Sequence, residues 1–147
     1  MGKATRRSFL LGICAAAALL AGCAGMGKSK PAKERIVLQV SDDNPKTWGQ
    51  AMNVVANLKR NYAKRGVESE IQVVAFGFGI QMLRDDAVVA NRVRDVMKDG
   101  TRMVACENSM SAHKLTKDRM LENIAYSETG VIYIMEKQRE GWSVIRP

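Results

Sequence analysis

The chain has 147 residues, the length of one domain with its own hydrophobic core. Its 23 basic and 15 acidic residues give a net charge of +8, and three of the basic residues lie among the first seven positions, which leaves +5 for the rest. This excess is spread along the chain and is not interleaved with aromatic residues, so the composition argues against nucleic-acid binding.

The N-terminus has the proportions of an export signal. Basic residues are followed by an apolar stretch over residues 9–22, which is shorter than the roughly 20 residues that a bilayer-spanning helix needs. Residues 5–10 (TRRSFL) resemble the twin-arginine export motif, and residues 20–23 (LAGC) resemble the lipobox of bacterial lipoproteins. These resemblances imply a signal peptide over residues 1–22 and a diacylglyceryl lipid on Cys23. An ordinary Sec signal with an unmodified cysteine is the alternative.

A lipid on Cys23 implies a location outside the cytoplasm. Ala24 follows the cysteine, and the absence of aspartate there resembles outer-membrane sorting. More than one acyl chain gives stable attachment to a membrane, so we expect an extracytoplasmic, membrane-anchored lipoprotein on the periplasmic face. Residues 24–34 are small, polar and basic, which is typical of a flexible tether. We therefore expect the lipidated cysteine and its tether over residues 23–34 and a folded domain over residues 35–147.

Strand patterns and helix patterns alternate through the expected domain. We predict five strands, over residues 36–40, 70–76, 102–106, 124–126 and 142–146. The first helix is capped by Asn44 and ended by Gly66, and the second is capped by Asp85 or Asp86 and ended by Gly100. Short helices are predicted beyond Asn108 and over 116–121, and a longer helix over 130–139. Continuous apolar strands that alternate with helices predict an α/β fold with a parallel sheet covered on both faces. Ligands bind such sheets beyond the carboxyl ends of the strands, and this predicts binding loops after Val40, Phe76 and Cys106.

Four short motifs resemble the DsrE/DsrF-like family. They are VSD at residues 40–42, VVAFGFGI at 73–80, VACENSM at 104–110 and GWSVI at 141–145. The resemblance extends over nearly all of the chain from Arg35 onward. It implies a flavodoxin-like three-layer α/β/α fold with a mainly parallel sheet of about five strands, and assembly into a homo-oligomer, a trimer or a hexamer. The family includes cytoplasmic sulfur-relay subunits that carry a persulfide on a cysteine, and Cys106 occupies the matching position.

Cys106 is the main candidate for chemistry. It lies where a strand gives way to a turn, with Asn108 and Ser109 able to cap a helix just beyond. Backbone amides at such a position lower the pKa of a thiol and favour the nucleophilic thiolate. The alternative is structural, because unpaired cysteine is among the residue types most often buried. His113, the single histidine, lies seven residues on and is a candidate proton donor, although a lone histidine is more often a packing residue.

The other candidate positions are loop residues. Gly77 and Gly79 flank Phe78, and their amides could approach a phosphate, but the third glycine and the acidic residue of a dinucleotide fingerprint are absent. A tight turn explains these glycines better. With Asp42 after the first strand, the predicted binding loop comprises Asp42, Gly77, Gly79, Asn108 and Ser109.

Two functional hypotheses remain open at this point. One is a lipid-anchored sulfur carrier that acts through Cys106 with a sulfur-transfer protein as partner. The other is a non-enzymatic module that binds a small molecule, a soft metal or a protein, with Cys106 structural. Cys106, Met110 and His113 are soft donors suited to copper(I), but a blue-copper site would need a second histidine. We assign no cofactor and no metal site. No nucleophile, base and orienting group occur at a recognisable spacing, so the sequence leaves open whether the protein is an enzyme.

Overall fold

The computed structural model describes residues 33–147. The expected signal peptide, the lipid-accepting Cys23 and residues 24–32 of the expected tether lie outside the described residues. Among the described residues, no helix is both long enough and apolar enough to cross a membrane.

Five strands form one sheet. They are β1 (Lys33–Val40), β2 (Glu68–Ala75), β3 (Arg102–Cys106), β4 (Ala125–Ser127) and β5 (Ser143–Ile145). The order across the sheet is β4-β3-β2-β1-β5, and every neighbouring pair is parallel. The predicted α/β fold with a parallel, five-stranded sheet is therefore confirmed.

Four α-helices and two 3-10 helices connect the strands. They are α1 (Pro45–Lys64), α2 (Ala90–Lys98), α3 (Glu107–Ala112) and α4 (Gly130–Arg139), with 3-10 helices over Gly77–Leu83 and Lys117–Arg119. The start of α1 follows the predicted chemistry: Asn44 accepts a hydrogen bond from the Lys46 amide at 2.9 Å, and Pro45 takes the first helical position, where no amide proton is needed. The helix predicted over 116–121 is only the single 3-10 turn.

The chain path places helices on both faces of the sheet. From β1 the chain moves through β2 and β3 to β4 in one direction, and α4 then returns it to β5 on the other side of β1. Because crossovers between parallel strands are right-handed, reversing the direction moves the connecting helix to the opposite face. The larger core lies under α1 and α2. The smaller core lies under α4 and consists of Val37, Val74, Val104, Ile134 and Trp142.

The prediction that Asp85 or Asp86 caps the second helix is wrong. α2 begins at Ala90, after Val89, and no side chain caps it. The carboxylate of Asp86 instead accepts from Arg84 at 2.6 Å and from Arg119 at 3.4 Å. An ion pair with a residue distant in sequence thus takes the place of a local cap.

Candidate functional site

Cys106 lies at the carboxyl edge of the sheet, where two strands end side by side. Cys106 is the last residue of β3 and is in register with Ser127, the last residue of β4. The chain turns into α3 immediately after Cys106 and into α4 three residues after Ser127. The parallel register therefore brings the first residues of two helices to the same cysteine.

The first amide of α4 points at the sulfur of Cys106. The Gly130 nitrogen donates to Sγ at 3.3 Å. A Ser or Thr that directly precedes a helix usually caps it by accepting a hydrogen bond from an amide of the first turn. The Thr129 hydroxyl instead accepts from Asn108 Nδ2 at 3.0 Å and caps no amide of α4. The sulfur of Cys106 thus takes the acceptor role at the beginning of α4.

Position 130 is tightly packed. A Cβ added there would lie 3.1 Å from the Cβ of Phe76, 3.2 Å from the Cβ of Cys106 and 3.4 Å from Cγ1 of Val74. The absence of a side chain lets the α4 amide approach the thiol, and an added Cβ would require the helix start or its neighbours to shift by a few tenths of an ångström.

Ser109 links the thiol to the loop after β2. Its Oγ accepts from the Gly77 amide at 2.7 Å, which leaves the hydroxyl proton free to face Cys106 Sγ. The prediction that Asn108 and Ser109 cap the third helix is wrong, because both lie inside the first turn of α3 and the residue before the helix is Cys106 itself. Asn108 and Ser109 nevertheless lie next to the thiol, as their predicted role required.

These contacts favour the thiolate. Burial by itself raises the pKa of the Cys106 thiol, but the Ser109 hydroxyl and the amides of Gly130, Ser109 and Asn108 together outweigh burial and hold that pKa below its ordinary value of 9.0. The protonated form also has a partner, because Sγ lies 3.7 Å from the carbonyl oxygen of Glu128. The surroundings therefore accept both protonation states.

Cys106 is nearly covered by its neighbours. Only 4% of the residue is exposed, while Asn108 and Glu128, which flank it at the sheet edge, are exposed. Glu107, the acidic residue nearest in sequence, pairs with Lys117 at 2.9 Å. The negative charge of Glu107 is thus balanced within the site.

The remaining binding-loop residues have structural contacts. Gly77 has φ +54, a left-handed conformation that glycine adopts without strain, and a Cβ on Gly79 would lie 2.3 Å from the Val40 carbonyl oxygen. Asp42 accepts from the Asn44 amide at 3.0 Å. The glycines let the Gly77–Leu83 segment pack against the end of β1, which agrees with the turn interpretation.

His113 and Met110 lie in surroundings different from that of Cys106. His113 packs edge-on against Phe78 with ring centroids 4.9 Å apart, and Met110 is buried in the larger core. Cys106 contacts residues at the start of α4, on the other face of the sheet. Within residues 33–147, no group of three histidine, cysteine, aspartate or glutamate side chains is placed to hold a metal ion.

Three site residues were not predicted from the sequence: Glu128, Thr129 and Gly130. Each follows β4 and contacts Cys106 or Asn108. The predicted parallel sheet could have indicated these residues, because neighbouring parallel strands place the loop after β4 beside the end of β3.

The fold and family are supported by comparison with known proteins. The model of the DsrE/DsrF-like family matches residues 35–147. The solved structure of MTH1491, a protein of unknown function from Methanobacterium thermoautotrophicum, is 30% identical and has a TM-score of 0.73, covering 78% of this chain and 99% of that one. The solved structure of BT1422, a conserved protein of unknown function from Bacteroides thetaiotaomicron, is 17% identical and has a TM-score of 0.58, covering 78% of this chain and 94% of that one. At this identity the likeness supports the fold alone.

No curated protein matches the chain. The family model, however, covers well over half of the sequence, and the MTH1491 structure aligns over nearly its full length. The chain belongs to the DsrE/DsrF-like family.

Proposed function

We propose that this protein is a sulfur carrier that holds a persulfide on Cys106. The observation that supports the proposal is the set of hydrogen-bond donors around one sulfur atom, with the Gly130 amide at 3.3 Å and the Ser109 hydroxyl beside it. The thiolate is the form of cysteine that attacks sulfur. A protein that lowers the thiol pKa through fixed donors increases the fraction of that form.

The proposed step is a transfer of one sulfur atom without net oxidation. The Cys106 thiolate attacks the terminal sulfur of a donor persulfide, and a new S–S bond forms on Cys106. The S–S bond of the donor breaks, its cysteine leaves as a thiolate, and the terminal sulfhydryl moves with its proton to Cys106. Delivery to an acceptor thiolate repeats the same exchange, with Cys106 as the leaving group.

Access to the sulfur is from the carboxyl edge of the sheet. The flanking residues Asn108 and Glu128 are exposed there, whereas the thiol is covered. We propose that a small shift of residues 128–129, which lie between the end of β4 and the start of α4, uncovers Sγ for a donor. The covering residues then protect the loaded persulfide from solvent thiols.

We propose that the chain forms a homo-oligomer, a trimer or a hexamer as its family suggests, through the outer face of α4. Val131, Ile132 and Met135 are 46–53% exposed on that helix, which is unusual for large apolar side chains. If this face is the interface, Ile132→Glu will lower the mass measured by light scattering. Gln138→Glu, on an exposed position of the same helix, will leave the mass unchanged.

We also propose that the protein works outside the cytoplasm, anchored by a lipid on Cys23. The twin-arginine and lipobox resemblances support this location. Cell fractionation and mass spectrometry of the mature N-terminus test it. Cys23→Ala should release the protein from the membrane fraction, and paired lysine substitutions at Arg6 and Arg7 should stop export if the twin-arginine route is used. A mature chain without lipid would overturn the anchor.

The carrier proposal is tested by loading the full-length chain with glutathione persulfide. Peptide mapping separates Cys106 from Cys14 and Cys23, so an added sulfur atom can be assigned to one position. The expected result is one added sulfur on Cys106, removable by a thiol reductant and transferable to a second thiol. Cys106→Ser, which keeps a small polar side chain, should lose only this modification. No sulfur on Cys106 in the native protein would contradict the proposal.

The low exposure of Cys106 favours a second candidate function, a non-enzymatic binding module in which the thiol only packs. Its test is Cys106→Ala. A variant that folds normally and still assembles and binds its partners as the wild type does would favour the binding module. A variant that folds normally but loses sulfur transfer would favour the carrier.

A further inference from the structure

A second candidate binding site lies at the opposite end of β3 from Cys106. A groove of about 1000 Å³ runs between the C-terminal half of α2, residues 100–102 at the start of β3, and residues 117–124. β3 extends from Arg102 at the groove to Cys106, a separation of about 13 Å at the usual rise of a strand. The Arg102 end of the groove is therefore distant from the thiol, although Lys117 and Tyr126 extend its lining toward the residues beside Cys106. Its volume falls in the range of small-molecule sites.

The inner wall of the groove is mostly apolar. It includes Met97, Leu121, Ile124 and the ring of Tyr126. Thr101 also lines the groove, is only 4% exposed, and its Oγ1 has no hydrogen-bond partner among the described residues. Buried hydroxyl groups are nearly always hydrogen-bonded, and an unpaired one is unfavourable. A ligand with a polar atom at this point would satisfy the hydroxyl.

The rim carries two arginines whose charge is not balanced by an ion pair. Arg102 and Arg94 both line the groove, and neither forms a salt bridge within residues 33–147. Arg94 donates only to neutral groups, the side chain of Asn91 and the carbonyl oxygen of Asp85. Guanidinium groups bind carboxylates and phosphates through paired hydrogen bonds. An anionic head group therefore has unpaired guanidinium partners in the lining of the groove.

The other charges at the groove limit the ligand to a single negative charge. Two lysines and three carboxylates also line it, and because both lysines pair with carboxylates outside the lining, the charges left without an ion pair are those of two arginines and three carboxylates. These additional residues are Lys98, Lys117, Asp85, Asp118 and Glu122. Lys98 pairs with Asp95 at 3.5 Å and Lys117 pairs with Glu107 at 2.9 Å. A ligand with several negative charges would be repelled by these carboxylates. A monoanion with an apolar body would be repelled less, because it places only one charge in the groove.

We propose that this groove binds a small amphipathic monoanion, with its head group on Arg102 and Arg94, an oxygen on the Thr101 hydroxyl and its apolar body along Met97 and Ile124. Neither the thiol nor its sulfur is involved. The head group is a carboxylate or an alkyl sulfate, since both carry a single negative charge and present the oxygens that a guanidinium recognises.

Isothermal titration of the full-length chain with octanoate, octyl sulfate and neutral octanol tests the proposal. We expect saturable binding of one or both anions and no saturable binding of octanol, and the tighter anion identifies the head group. Arg102→Gln should weaken binding at least tenfold, as for the loss of a hydrogen bond to a charged group. Arg60→Gln, on the exposed side of α1 and outside the groove, is the matched control and should leave the affinity unchanged.

The variant Thr101→Val distinguishes a hydroxyl that binds the ligand from one that has only a structural role. Valine removes the unpaired hydroxyl at nearly constant shape, so we expect a higher melting temperature and a severalfold lower affinity for the anion. Cys106→Ser should bind the anion as the wild type does, which keeps this test independent of sulfur carriage. Absence of saturable binding, equal binding of octanol, or affinities unchanged by both Arg102→Gln and Thr101→Val would overturn the proposal.

Discussion

The amide nitrogen of Gly130 lies 3.3 Å from the sulfur of Cys106, although the two residues are 24 positions apart in the sequence. This hydrogen bond joins the last residue of β3 to the first residue of α4. The same contact supplies an acceptor to the beginning of the helix and a donor to the thiolate. A change at either residue is therefore expected to alter both the stability of the fold and the reactivity of the thiol.

Ser109→Ala should make the thiol less reactive at neutral pH. Loss of the hydroxyl removes a donor that stabilises the thiolate, so the pKa of Cys106 rises and less thiolate is present at pH 7. We expect the rate of alkylation by iodoacetamide at pH 7 to fall about three- to tenfold, with the midpoint of the pH–rate profile moved upward. Ser109→Thr keeps the hydroxyl and should restore the profile. Ser111→Ala, an exposed position of α3, is the control, and an unshifted midpoint in Ser109→Ala would refute the assigned role.

Gly130→Ala should destabilise the protein and also raise the thiol pKa. The added Cβ meets the Cβ atoms of Phe76 and Cys106 at 3.1 and 3.2 Å, so we expect the start of α4 to shift by a few tenths of an ångström and the hydrogen bond from its amide to the sulfur to lengthen. Overpacking of this kind costs about 1–3 kcal/mol in the free energy of unfolding, measurable by urea denaturation. Gly49→Ala is the matched control: its Cβ meets only the end of the Arg92 side chain, and alanine favours the interior of α1. Equal stability of the two variants would count against the tight contact.

The stability of the folded protein should depend on pH through Cys106. The pKa of the thiol is below 9.0 in the folded protein and close to that value in the unfolded chain, so the unfolded chain binds the proton more tightly between the two values. The thiolate contribution is complete above pH 9.0 and is lost as the pH falls through the folded-state pKa. Relative to Cys106→Ser, the wild type should gain free energy of unfolding as the pH rises from neutral toward 9.0. Parallel curves for the two proteins, measured in reductant, would exclude this linkage.

Local sequence patterns were sufficient for much of the fold. The helix predicted over 130–139 matches α4, and the Asn44-Pro45 pair marks the start of α1, because both depend on neighbouring residues. The start of α2 was missed because Asp86 forms ion pairs with Arg84 and Arg119, and the latter is 33 residues away. An ion pair between residues far apart in the sequence cannot be recognised from a local pattern of a few residues.

The site was only partly predictable for the same reason. The position of Cys106 at a strand end and the nearness of Asn108 and Ser109 follow from sequence, since all three are adjacent. The roles of Gly130 and Gly77 depend on which strands are neighbours, and that is settled by the packing of the sheet. His113 was proposed from its spacing in the sequence, and its ring contacts Phe78, a contact that the spacing did not predict.

The most direct test of the account is the rate at which iodoacetamide alkylates Cys106 in the native full-length chain compared with the urea-unfolded chain at pH 7, with adducts located by peptide mapping. The native thiol should be alkylated at pH 7 without unfolding, although more slowly than the exposed thiol of the unfolded chain, because the proposed shift of residues 128–129 uncovers Sγ and the donors around it increase the thiolate fraction. Modification of Cys106 only after unfolding would contradict the carrier function and would identify the cysteine as a packing residue.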